Sequence, residues 1–111
     1  MATPMGYQVV GANTELRRTP LTVVGVTAVR VLERNRARVA FRVYAAAFNW
    51  DNVFMGYDTG LTVLNSLDVC GPGEMLEDSG YYTCYKGDVY LISGTATQYV
   101  IVEEVIMRGS R

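Results

Sequence analysis

The 111-residue sequence predicts an all-β fold: a single antiparallel β-sandwich or small barrel of about seven or eight short strands, with an extended N-terminal arm. Three observations predict it. From residue 21 onward, β-branched and aromatic residues come in short blocks, several of them alternating at period two. Gly, Pro, Asn and Asp punctuate those blocks at close intervals, so the connections are short. No amphipathic helix of useful length interrupts the pattern, and no repeat of about 20–50 residues is present. The length allows one core, and a 50% hydrophobic composition provides enough apolar surface to offset the entropy of ordering it.

Residues 1–20 read as the arm, because Pro4, Gly6, Gly11, Asn13 and Pro20 break any regular pattern, and the sandwich domain is expected over 21–108. The arm carries Tyr7, Val9, Val10 and Leu16, more apolar material than an idle tail. It is therefore expected to lie on its own domain, a neighbouring copy or another protein. The run 22–32 is long for one strand, and Gly25 suits a bulge or a break into two. A polar turn at 33–36 leads into 38–44, where Val39, Phe41 and Val43 alternate with Arg38, Ala40, Arg42 and Tyr44. The strands on either side of that turn are expected to pair as an antiparallel hairpin, since a parallel pairing needs a longer crossover.

The segment 45–50 reads as a strand end plus turn, 53–57 as a strand, and 61–64 as a short strand or extended segment. Gly71, Pro72 and Gly73 mark a turn between Val69 and Met75. Strands follow over 81–85, 89–93 and 98–107, separated by turns at 86–88 and 94–96. The last strand is apolar on both faces near its start, which predicts a central position.

The chemistry of enzymes is thin here. The absence of histidine removes the commonest general base and metal ligand, and two cysteines without histidine partners are too few for a structural zinc site. Glu77 and Asp78, like Glu103 and Glu104, are adjacent in sequence, so in a strand they point to opposite faces and read as solvated charge. Asp51, Asp58, Asp68 and Asp88 read as turn residues, so no metal is expected. Neither a GxGxxG pattern nor a Walker-type lysine occurs, and no cofactor is expected. Catalytic residues are expected to be absent.

Cys70 and Cys84 are candidates for a disulfide worth about 3 kcal/mol, with free buried thiols the stronger expectation for a chain whose start lacks the basic, apolar pattern of an export signal. With no apolar run approaching about 18 residues, a soluble cytoplasmic product and no membrane partner are expected.

Net charge is −1, but unevenly placed: residues 1–44 hold seven Arg against two Glu, and residues 45–111 hold three basic against nine acidic residues. That is +5 against −6, which fits either two complementary surfaces meeting between copies or ordinary solvated strand faces. Arg30, Arg34, Arg36, Arg38 and Arg42 lie near Phe41 and Tyr44, the ingredients of a single-stranded nucleic-acid surface, although the acidic pI of about 5.3 argues against it. The eight tyrosines suit sheet packing, protein interfaces or a carbohydrate platform.

The order of motifs over about residues 34–104 carries a resemblance. It runs from the polar turn at 33–36 through Val53 to Gly56, the Gly-Pro-Gly-Glu turn at 71–74 and Tyr85, Gly87, Val89, Tyr90 and Ile92, and closes with the valine-rich strand ending at Glu103. This order resembles small β-sandwich structural proteins of tailed bacteriophage virions. The resemblance implies a non-enzymatic virion protein, first a capsid decoration or cement protein bound between shell subunits, or else a neck, tail or fibre-attachment subunit. It further implies assembly in the host bacterial cytoplasm, the major capsid protein or other virion subunits as partners, and a homo-oligomer, a trimer by analogy. Partner contacts are expected at Tyr7, Val9, Val10, Leu16, Arg17, Arg18, Arg36, Arg38 and Trp50.

Overall fold

The computed structural model describes residues 13–80 and 82–108. Among these residues nine strands form two antiparallel sheets: β1 (Thr14–Arg18), β2 (Thr22–Val24), β3 (Val29–Leu32), β4 (Arg38–Ala45), β5 (Val53–Gly56), β6 (Asp68–Cys70), β7 (Met75–Ser79), β8 (Val89–Ser93) and β9 (Gln98–Met107). One sheet has the order β1-β9-β4-β7, with β2 also paired to β9, and the other has the order β3-β8-β5-β6. The fold is a β-sandwich. Thr14–Arg18, which the sequence groups with the arm, lies in the first sheet opposite Glu103 to Met107.

The run 22–32 does divide at Gly25, and the two pieces go to different sheets. The long last strand is central, with β1 and β2 along one side and β4 along the other. Its inward residues Val100 and Val102 meet Ala45 and Val43 of β4 and are fully buried; each contributes about 1.5–3 kcal/mol by leaving water. With Phe41, Val53, Met55, Val89 and Leu91 they form the core between the sheets.

The hairpin expected around residues 33–36 does not form. β3 pairs β8 in one sheet, while β4 pairs β7 and β9 in the other. Because β4 is hydrogen-bonded along both edges, it has no edge left for β3, and the connection must cross the sandwich. The turn is fixed instead to the loop before β8: Asn35 N–H donates to the Lys86 carbonyl at 2.8 Å and Arg34 N–H to Asp88 Oδ1 at 2.7 Å.

Alternation on β4 also departs from strict period two. A bulge against β9 between Arg38 and Ala40 moves Val39 off the core face, where it packs with Ala40 and Val105. Residues 61–64 form a turn, with Thr62 N–H donating to Asn65 Oδ1 at 2.7 Å, and 82–85 is likewise a turn and not a strand. The turn at 71–74 is present; Gly73 has φ +77°, a left-handed conformation that glycine adopts without steric cost.

Candidate functional site

Strand direction sorts the loops onto two ends of the sandwich. β4 and β8 run toward one end, which carries the loops 25–28, 46–52, 71–74 and 94–97; β5 and β9 run back toward the other, which carries 33–37, 57–67 and 82–88. β9 alone spans about 30 Å at about 3.3 Å per residue, in a body measuring 43 × 30 × 20 Å.

At the first end, the loop between β4 and β5 is fastened by two buried amides. Asn49 donates through Nδ2 to the Tyr99 carbonyl at 2.9 Å and accepts the Tyr99 N–H on Oδ1 at 2.8 Å. Gln98 Oε1 accepts the backbone N–H groups of Trp50 at 3.0 Å and Asp51 at 3.1 Å. Buried amides are costly unless bonded, so these contacts satisfy the amides and fix the loop at once. The loop so fixed turns its aromatics outward: Phe48 is 66% exposed and Trp50 is 68% exposed. Phe48 also rests against Tyr99, ring centroids 5.4 Å apart. Exposed Leu21, Val23 and Val26 flank this tip; Val23 sits opposite Tyr99 across β2 and β9, and Gly25 accepts the Ser93 N–H.

At the opposite end, the 57–67 loop presents Leu64, 94% exposed, together with exposed Leu67. Beside them lies a cavity of about 220 Å³ lined by Gly56, Tyr57, Asp58, Leu61, Asn65 and Leu67. Leu61 packs closely on Gly56 at its edge: a Cβ there would meet Leu61 Cδ1 at 2.6 Å, so the leucine would have to shift. Tyr57 stacks on Tyr85 at 3.5 Å, and burial, followed by the nearby Asp78 carboxylate, pushes its hydroxyl pKa up to about 12. Asn65 holds the loop through Thr62 N–H and through its own Nδ2 on the Gly60 carbonyl.

The predicted contact residues scatter over this framework. Tyr7, Val9 and Val10 lie outside the described residues. Leu16 is exposed on β1 opposite Val105, Arg17 is exposed beside Glu15, and Arg18 bonds Glu103 through Nε at 2.9 Å. Arg36 is exposed in the turn at the end opposite Trp50. Arg38 is corrected: with 0% exposure it reaches no partner. It donates to Glu104 Oε2 at 2.8 Å and to the carbonyls of Glu33, Tyr85 and Gly87 at 2.7, 3.0 and 2.8 Å.

Glu103 and Glu104 do point to opposite faces, but they are buried and not solvated. Glu103, 2% exposed on the outer face of its sheet, accepts from Arg18 and from the Tyr44 hydroxyl at 3.1 Å. The arginine stripe of the nucleic-acid reading is dispersed: Arg38 is internal, Arg30 pairs with Glu33 and Asp88 on one sheet, and Arg42 pairs with Glu77 on the other. Phe41 lies in the core, so no base can stack on it.

Sequence reading missed Phe48, Leu64 and Leu67. The available signal was large apolar side chains inside segments rich in Asn, Asp, Ser and Gly, where loop chemistry gives them no core to join.

Both cysteines are buried free thiols. Burial raises both pKa values, that of Cys84 to about 11 with Asp78 adding to the effect, so little thiolate exists at neutral pH. Among the described residues no group of three or more His, Cys, Asp or Glu side chains is placed to hold a metal ion.

The fold is shared with a bacterial pilus protein. A solved chain from Bacillus endospore appendages, a novel family of disulfide-linked pili, superposes with a TM-score of 0.50 at 12% identity, covering 89% of this chain and 96% of that one. No family model and no curated protein matches the sequence. At that identity the likeness shows the fold, and it overturns the resemblance to phage virion proteins. Turns and alternating strands over 34–104 belong to the sandwich itself, which an appendage protein carries over nearly its whole length. The capsid decoration and cement role, the virion location with assembly in a host cytoplasm, and the major capsid protein as partner are withdrawn with it.

Proposed function

We propose that this chain is a structural, non-enzymatic subunit that associates with copies of itself into a fibre, in the manner of a bacterial surface appendage. The observation that carries the reading is the pairing of a pilus-type sandwich with an apolar tip whose backbone is rigidly fastened and whose rings face water. Several large apolar side chains exposed around one fixed loop are the kind of surface that serves interaction with another body. Pre-fastening the loop lowers the ordering cost of association. The fibre-attachment subunit expected as an alternative from the sequence lies nearer to this reading than the capsid role, and an open-ended chain replaces the trimer, whose ground was the virion analogy. Tyr7, Val9 and Val10 remain candidate contacts between copies.

The test is concentration-dependent assembly of the purified chain, followed by light scattering and electron microscopy. Filaments of uniform width are expected. A protein that stays monomeric at millimolar concentration refutes the reading.

A further inference from the structure

We propose that Trp50 of one copy enters the cavity beside Leu67 of the next, so that subunits join end to end along their strands. This rests on the fibre reading above and specifies its contact. The knob and the hole lie at opposite ends of one body, a consequence of strand direction: Trp50 sits beyond β4, the cavity beyond β5. A protrusion and a complementary pocket at different places on one chain make a heterologous contact, which repeats without closing and gives a filament.

The occupant is argued from size, chemistry and surroundings. At about 220 Å³ the cavity is below the roughly 300–1,000 Å³ of small-molecule sites and suits one large side chain. Its wall is mixed, with Leu61, Leu67 and the Tyr57 ring beside Asp58 and Asn65, as an indole requires: apolar faces and an acceptor for one N–H. Asp58 supplies that acceptor, since one oxygen takes the Gly60 N–H and a carboxylate accepts at about four positions. Around the contact, Leu64 meets the collar of Leu21, Val23 and Val26, apolar surface against apolar surface that keeps water from the centre. The Asn49 and Gln98 bonds hold the Trp50 backbone before the partner arrives. Phe48 is braced on Tyr99, leaving Trp50 as the ring that projects.

Trp50 is the sole tryptophan, so intrinsic fluorescence reports on this contact in the unmodified full-length chain. On assembly its emission is expected to shift to the blue and become protected from acrylamide. Trp50→Ala and Leu67→Arg, both at exposed positions, are each expected to fold and to raise the critical concentration at least about thirtyfold, the factor for an interface anchor of about 2 kcal/mol.

Mixing the two variants is decisive. Trp50→Ala retains an intact cavity and Leu67→Arg an intact knob, so an equimolar mixture is expected to stop at one-to-one dimers. Wild-type filaments with unshifted tryptophan emission, Trp50→Ala filaments at the wild-type concentration, or a mixture that stays monomeric would each overturn the contact and leave the fibre reading standing. A wild type that never assembles overturns both.

Discussion

Replacing Arg38 by Met tests how the sandwich is closed at the end that bears the cavity. The guanidinium is fully buried and makes four hydrogen bonds, one to Glu104 at 2.8 Å and three to the carbonyls of residues 33, 85 and 87. Methionine preserves much of the stem's packing but leaves the Glu104 carboxylate buried without its partner. Removing one member of such a pair costs about 3–5 kcal/mol, a large share of the roughly 5–15 kcal/mol that holds a domain together. The three carbonyls, now short of donors, add to the loss.

In urea, with a slope of about 2 kcal/mol per molar, the midpoint should fall by about 1.5–2.5 M at protein concentrations below assembly. The double variant Arg38→Met with Glu104→Leu removes the stranded charge and should therefore be more stable than Arg38→Met alone, a non-additivity of about 0.5–3 kcal/mol. A single-variant loss under about 1 kcal/mol, the worth of a solvent-exposed pair, would refute the reasoning, and so would strict additivity.

Asn49→Ala should cost about 1–3 kcal/mol by removing the acceptor of the Tyr99 N–H and one of two donors to its carbonyl, which keeps the Ala46 N–H, and should speed amide exchange at Trp50 and Asp51; protection unchanged at those amides would contradict the loop's dependence on it. Alkali should destabilise the fold. Cys84 ionises near 11 when folded and near 9 when unfolded, and Tyr57 near 12 against 10, so above pH 9 the unfolded chain holds fewer protons and stability falls with rising pH, whereas below pH 9 these groups contribute no slope. Melting temperatures that stay level from pH 8 to pH 11 would count against it. Because Cys70 and Cys84 are buried with raised pKa values, a thiol reagent should label them only on unfolding, and a reductant should leave assembled fibres intact; fibres dissolved by reductant would show covalent links between copies.

The sequence made the strands legible wherever a pattern is local. The break at Gly25, the turn at 71–74, the strand 89–93 and the central position of 98–107 all follow from neighbouring residues alone. Pairing was not legible, because it is settled by competition between distant segments: β4 takes β9 and β7 as partners, and β3 is left to β8. The same limit explains Arg38 and Glu104. Each looks like a surface charge in its own segment, and only the bulge on β4 and the register with β9 turn the two inward together. Trp50 is a large aromatic in a polar loop, a type the sequence shows, whereas the cavity was not legible, since its walls come from a loop whose turn is held by Asn65 and which packs Leu61 closely on Gly56.

Part of the charge asymmetry of the sequence resolves inside the molecule, and that bears on the proposed self-association. Among the described residues, ion pairs join arginines of the first 44 residues to acids of the remainder, as Arg18 with Glu103, Arg30 with Asp88, Arg38 with Glu104 and Arg42 with Glu77. Opposite charges that lie far apart in sequence thus meet across strands, and the outer face of the larger sheet has Glu103 sealed beneath Arg18 and Tyr44. Charges engaged in this way are poor material for binding a second body, because a partner must first break the pair or accept its desolvation. Large apolar side chains that the core does not take up include Trp50 and Phe48 at one end and Leu64 and Leu67 at the other, besides single residues along the strands such as Leu16 and Val69. Exposed apolar groups at both ends, with the buried carboxylates of β9 already engaged by arginines, fit the proposed association end to end better than one through the sheet faces.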